Sequence, residues 1–371
     1  MTKYQQYFKI LRYSIQPDAK EIPDISGLEW QGLYSFSCKQ SIAGVVFEGV
    51  KHLGEQGVKP PFRLLMEWLA TAEQIKNRNK ILYKRCVELT EMLRKDGFAC
   101  CILKGQGNAL SYPNHYSRTP GDIDILVLPK GYKRINERRK AITEYVKKIF
   151  PKTRIRYQHI DYNVFPDVEV EMHFIPTKNN VFFYNRRIQK WTETLIEEQF
   201  EHIVDLPNNK GQIVIPTSQF NVVYQMSHLI NHFFDEGIGL RQFVDYYYVL
   251  QQIEDPLRLP LYKGRNLKET LKYLGLWKFA GAVMYVMREV FALEERYMIT
   301  PVDERRGKTL LNEILKGGNF GQHSGLTNHS TGGKYFAKTW RNMKLVREYP
   351  AEALCEPVFR TWHFFWRLAH R

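Results

Sequence analysis

Residues 103–127 read LKGQGNALSYPNHYSRTPGDIDILV, and the fold turns on the centre of that stretch, Asp122-Ile123-Asp124. In an extended segment, side chains two apart share a face. Asp122 and Asp124 therefore project together, while Ile123, Ile125 and Val127 project to the opposite side, toward a core. Adjacent carboxylates repel, and burial sharpens the repulsion, so a fold tolerates them mainly when a cation sits between them. A second stretch, Val168-Glu169-Val170-Glu171-Met172-His173-Phe174, has the same construction. Its apolar residues face one way, and Glu169, Glu171 and His173 the other. If the two strands are neighbours, carboxylates from both converge on one spot.

Working outward, residues 98–103 form a short apolar run that reads as a strand. Lys104-Gly105-Gln106-Gly107 makes a turn, and Asn108 to Leu110 a helix start. A loop spans 113–120, a strand 122–128 and a basic helix 133–150. Residues 154–165 alternate like a strand, and 168–174 form the next one. Before residue 97 the spacing is helical: Pro60 and Pro61 suit a helix entry, and Gly97 a C-terminal cap. After about residue 176 the pattern is mainly helical again. Ser218 to Leu250 shows it best, with a break at 235–239. The expectation is an α+β chain with a helical region over 1–97, a catalytic core over 98–185 and a mainly helical region over 186–371.

The net charge of +15 over 371 residues fits a polyanionic partner such as RNA, DNA or nucleotide phosphates. The alternative is that dispersed Lys and Arg only keep the protein in solution. The five cysteines form no CxxC, and the N-terminus lacks a secretion-signal h-region. A reducing cytoplasm is the expected setting, with thiols free and mostly buried. No apolar run is long enough to cross a bilayer.

A glycine-containing turn, a helix, an Asp-x-Asp strand and a third carboxylate on a neighbouring strand resemble the DNA polymerase beta-like nucleotidyltransferases. The closer resemblance is to a bacterial branch, the uncharacterised NTP_transf_5 nucleotidyltransferase family. It rests on Leu103-Lys104-Gly105, on Arg118 ahead of Gly121-Asp122-Ile123-Asp124, on Val170-Glu171-Met172-His173, and on Gly-Gly-Asn-Phe-Gly at 317–321. The sequence departs from the wider superfamily in its turn, where Lys104-Gly105 replaces the usual Gly-Ser, and in a longer spacing between turn and Asp pair.

This resemblance implies a small polymerase beta-like sheet flanked by helices from both ends of the chain. The implied enzyme moves a nucleoside monophosphate from an NTP, ATP included, to a hydroxyl of RNA or tRNA, a protein or a small molecule, releasing pyrophosphate. It also implies two Mg²⁺ ions, or Mn²⁺, with Asp122, Asp124 and Glu171 as metal ligands and catalytic residues. Lys104, Gly105, Gly107, Arg118 and Gly121 would meet nucleotide phosphates. Two other classes stand beside it: a catalytically weak nucleotide- or nucleic-acid-binding module, and the toxin of a toxin–antitoxin pair, since Lys-Gly-Gly turns occur in toxin-type members.

Each residue also has a plainer reading. Asp-x-Asp can be a turn with an N-cap, Lys104 a surface lysine, and Glu169 a solvated strand residue. Gly105-Gln106-Gly107 lacks the third glycine of a dinucleotide turn. Glu169 and His173 are candidates to support the metal ligands. His228 and His232 lie one helical turn apart, a zinc-like spacing without the accompanying glutamate. A packing or substrate-facing pair is the better reading. Arg241 and Asp245 either pair on a helix surface or reach the nucleotide base. The last helix, EPVFRTWHFFWRLAHR, has Trp362, Phe364, Phe365 and Trp366 among basic residues. Packing onto the body is expected ahead of nucleic-acid or membrane contact.

Overall fold

The computed structural model describes residues 3–16, 21–132, 134–253, 262–319 and 331–369. Four helices come first: α1 (Lys3–Ile15), α2 (Trp30–Lys39), α3 (Ala43–Glu55) and α4 (Phe62–Lys95). Then follow β1 (Phe98–Ile102), a single turn α5 (Gln106–Ala109), β2 (Ile123–Pro129), α6 (Ile135–Ile149), β3 (His159–Asp161) and β4 (Val170–His173). The remainder comprises α7 (Phe182–Leu195), a hairpin of β5 (Ile203–Asp205) and β6 (Gln212–Val214), and helices α8 (Ser218–Asp235), α9 (Leu240–Gln251), α10 (Leu267–Tyr273), α11 (Trp277–Phe291), α12 (Glu304–Gly317), α13 (Thr331–Met343) and α14 (Pro350–Ala369). The fold is mixed α+β, as the sequence leads one to expect.

The main sheet has the order β1-β2-β4-β3. β1 pairs antiparallel to β2, β2 parallel to β4, and β4 antiparallel to β3. The register sets Asp124 directly opposite Glu171. β2 is almost wholly buried, as a strand covered on both faces must be. One face carries Ile123, Ile125, Val127, Val170 and Met172 and packs against Leu82, Cys86, Leu89 and Leu93 of α4 and Ile142 and Val146 of α6. The α4 residues recur at four- and three-residue steps, so one stripe of a helix about 50 Å long covers the sheet. The other face brings Cys101, Leu103 and Leu126 into the larger helical core with Val222, Val223 and Tyr224 of α8. That core spans both ends of the chain: Arg12 on α1 donates to the carbonyls of Glu289 and Val290 on α11.

Some sequence expectations fail locally. The alternating stretch 154–165 yields only three strand residues and an isolated bridge between Ile155 and Ile160, so it doubles back on itself. Asn108 starts no lasting helix; it lies inside the single turn α5. The β5–β6 hairpin interrupts the region read as helical. Each strand is three residues long, too short for periodicity to register, and the connection bends through positive φ at Asn208, Asn209 and Gly211. The aromatic helix α14 splits in two. Phe359, Trp362 and Trp366 pack around Tyr157, whereas Phe364 and Phe365 are exposed. Among the described residues, no helix is long and apolar enough to cross a membrane. Lys133, Phe320-Gly321 and the His-, Ser- and Gly-rich loop after them lie outside the described residues.

The long loop before β2 is pinned from below by Asn79 of α4, which is fully buried. Its amide nitrogen donates to the carbonyls of Tyr116 (2.9 Å) and Arg118 (2.7 Å), and its oxygen accepts from Gln106 at 2.7 Å. One amide thus ties α4, the turn after β1 and the approach to the Asp pair. Asn79→Ala leaves these buried partners unsatisfied and is expected to lower the unfolding free energy by about 2–3 kcal/mol. A shift of the urea midpoint at unchanged slope would show it; no shift would mean that the loop is held by other contacts.

Candidate active site

At the C-terminal end of β1 the chain turns sharply through Gly105, whose φ of +61° lies where side chains strain. This turn rests against the start of β2; a Cβ on Gly105 would come 3.7 Å from the Asp122 carbonyl. It delivers Lys104 to the Asp pair, with its ammonium 3.2 Å from Asp124 Oδ2. From β4, His173 Nε2 donates to Asp124 Oδ1 at 2.9 Å. Asp124 is 3% exposed. Burial works to raise its pKa, but Lys104 and the His173 hydrogen bond overcome it and hold the carboxyl well below the usual range. Asp122 goes the other way. The neighbouring Asp124 charge, then burial, push it up to about 6. The two carboxylates therefore divide unequally the positive charge available to them.

Carboxylate oxygens of Asp122, Asp124 and Glu171 all lie within 4.8 Å of one another. They line a cavity of about 420 Å³ between the sheet and α8, with Lys104, Gly105, Gly121 and His173 beside them. The α8 residues on its wall, Tyr224, His228, Asn231, His232 and Asp235, follow helical spacing. Lys338 of α13 and Glu356, Phe359, Arg360 and His363 of α14 also line it. There Asp235 is bound by Lys178 Nζ at 2.7 Å and Asn180 Nδ2 at 2.9 Å. Burial opposes its charge, but Lys178 and Lys338 keep its pKa below the usual range.

Arg118 lines the cavity, but its guanidinium is spent on Asp245, with Nε and Nη2 at 2.7 and 2.9 Å from the two oxygens. Tyr112 donates to the same carboxylate at 2.6 Å. Asp245 therefore does not pair with Arg241 on a helix surface. Both α9 residues are buried, because α9 lies inside the core, and Arg241 reaches the Thr119 carbonyl at 3.3 Å. Burial, then the nearby Arg118 charge, lower Arg241 to about 10. His228 and His232 contact each other, Nε2 to Nε2 at 2.8 Å, and Lys104 sits 3.4 Å from His228.

Two predicted residues stand apart. Gly107 packs against Ile215, and its N–H donates to the Lys104 carbonyl within the turn. Glu169 is exposed, one residue before β4. Among the residues that escaped the sequence reading is His159, on β3, with Nδ1 3.0 Å from Glu171 Oε2. Its alternation with Asp161 in the stretch 154–165 was the available signal.

Because both partners of the Arg118–Asp245 pair are buried, Arg118→Ala strands a carboxylate in the interior and is expected to cost about 3–5 kcal/mol. Arg118→Lys should recover only part, since an ammonium cannot make the two-pronged contact. Denaturant unfolding of both variants measures this, and equal stability of wild type and Arg118→Ala would refute it.

A family model described as an uncharacterised nucleotidyltransferase, NTP_transf_5, matches residues 26–292. A solved structure described as an antigenic nucleotidyltransferase-like protein from Paracoccidioides brasiliensis is similar at 12% identity, covering 62% of this chain and 96% of its own, with a TM-score of 0.36. No curated protein matches the sequence.

Proposed function

The chain belongs to this uncharacterised nucleotidyltransferase family, and we propose that it transfers a nucleoside monophosphate from an NTP to a hydroxyl group with release of pyrophosphate. The observation that carries this reading is the meeting of Asp122, Asp124 and Glu171 at one end of the cavity. The donor set is all hard oxygen, which fits Mg²⁺ or Mn²⁺. When bound there, such ions would screen the triphosphate and polarise the reacting oxygens.

The protein's own groups supply the rest. Lys104, half-buried, stands beside the Asp pair; burial disfavours its charge, but Asp124, Asp122 and Glu171 raise its pKa. It is placed to meet the pyrophosphate as negative charge gathers there. The turn at Gly105 lets backbone approach the phosphates without a side chain intervening. The α8 wall offers Tyr224 and Gln225 to the nucleoside. Transfer forms a bond from the acceptor oxygen to the α-phosphorus as the bond to pyrophosphate breaks. The acceptor enters on the Glu171 side, and the net charge of +15 favours RNA there over a protein or small molecule. The catalytic core in this reading is residues 98–185.

Incubation with each α-labelled NTP, Mg²⁺ and candidate acceptors tests this. Wild type should release pyrophosphate and pass label to the acceptor, and chelation by EDTA should stop both. Asp122→Asn and Asp124→Asn are expected to lose roughly two orders of magnitude in rate, with far-UV circular dichroism confirming that each variant is folded. Failure of wild type with all four NTPs, or full turnover by folded Asp124→Asn, would refute the proposal.

A further inference from the structure

Glu171 also belongs to a second set of donors, which nucleotidyl transfer as described above does not use. β3 runs antiparallel to β4 with His159 opposite His173 and Asp161 opposite Glu171. Directly opposed residues share a sheet face, and so do residues two apart on one strand. His159, Glu171 and His173 therefore gather on the cavity side, with ligand atoms within 4.8 Å of one another.

Their spacing is that of a coordination shell. Glu171 Oε2 lies 3.0 Å from His159 Nδ1 and 3.5 Å from His173 Nε2. A tetrahedral ion with bonds of about 2.0–2.1 Å holds its ligand atoms roughly 3.3–3.4 Å apart, between those two distances. The imidazoles are oriented for the task. His173 Nδ1 donates to the Ile175 carbonyl at 3.3 Å, which turns Nε2 into the cavity. This outer contact is the usual support of a metal-bound histidine. His159 is 9% exposed, and its Nε2 makes no hydrogen bond; the Asp161 carboxylate stands 3.8 Å away. Coordination through Nδ1 would place the ring proton on that nitrogen, facing Asp161.

We propose that His159, Glu171 and His173 bind a divalent transition-metal ion of the zinc or cobalt class, with a further position open to the cavity. Imidazole nitrogen is a good donor to such ions and a poor one to Mg²⁺. The set shares Glu171 with the all-oxygen cluster, and the two adjoin where Asp124 Oδ1 meets His173 Nε2 at 2.9 Å. Coordination needs a free Nε2 lone pair, so on binding His173 gives up its Nε2 proton to solvent. The sheet thus offers a nitrogen-containing position next to an oxygen-only one.

Cobalt titration of the full-length protein without nucleotide tests this, so its outcome is separate from that of the transferase assay. Wild type should take up Co²⁺ with the strong visible absorption of a four- or five-coordinate site, displaced by Zn²⁺. His159→Gln, on the edge strand, should weaken Co²⁺ binding at least ~10-fold, while Asp122→Asn, outside the set, keeps the spectrum. X-ray absorption of zinc-loaded wild type needs no variant and should count two imidazole ligands. A weak octahedral spectrum, a zinc shell without imidazole, or a folded His159→Gln that binds Co²⁺ as wild type does would each overturn the proposal.

Discussion

Each oxygen of Asp124 has a positive or hydrogen-bonding partner: one accepts from His173 and the other faces the Lys104 ammonium, in a place almost without solvent exposure. Much of the architecture serves that arrangement. A lone buried carboxylate would be costly, so the turn after β1 must bring a lysine, and β4 must lie beside β2 in the register that presents Glu171 and His173. The parallel β2–β4 pairing does the second, and Gly105 makes the first possible. Asp122, the less buried of the two, receives less compensation, and its charge is the more easily lost.

A second tier of buried polar contacts keeps the loop over this cluster in place. Arg118 bridges to Asp245 on α9, Asn79 on α4 holds the carbonyls of Tyr116 and Arg118, and Tyr112 adds a further bond to Asp245. These contacts join segments far apart in the chain. Arg118 looks like a phosphate ligand when seen only as a basic residue ahead of Gly-Asp-Ile-Asp. In the folded protein its partner is a carboxylate more than a hundred residues later.

That contrast explains what could be read in advance. The alternation around Asp122-Ile123-Asp124 and Val170-Glu171-Met172 is local, and each segment carries its own two-sided pattern, so the strands and their facing residues were legible. The helices from 218 to 250 and 277 to 291 were legible for the same reason. The short β5–β6 hairpin was not, because three residues per strand are shared by too many alternatives. His159 was missed because its significance depends on β3 pairing with β4, a contact no single segment encodes. Gly107, in a glycine-containing turn, suggests a phosphate contact, yet the space beside it belongs to Ile215.

Residues from α13 and α14 form one wall of the cavity, although they lie beyond the segment that the family model matches. α14 is held there by His363, which accepts from the Tyr157 backbone, and by edge-to-face contacts of Trp362 and Trp366 with Tyr157. Synthesis runs from the amino end, so the acidic strands leave the ribosome well before this wall does. A nascent chain whose sheet has already formed would hold its carboxylates in an open trough. Enclosure of the pocket then waits for α13 and α14 to follow the sheet out of the ribosome.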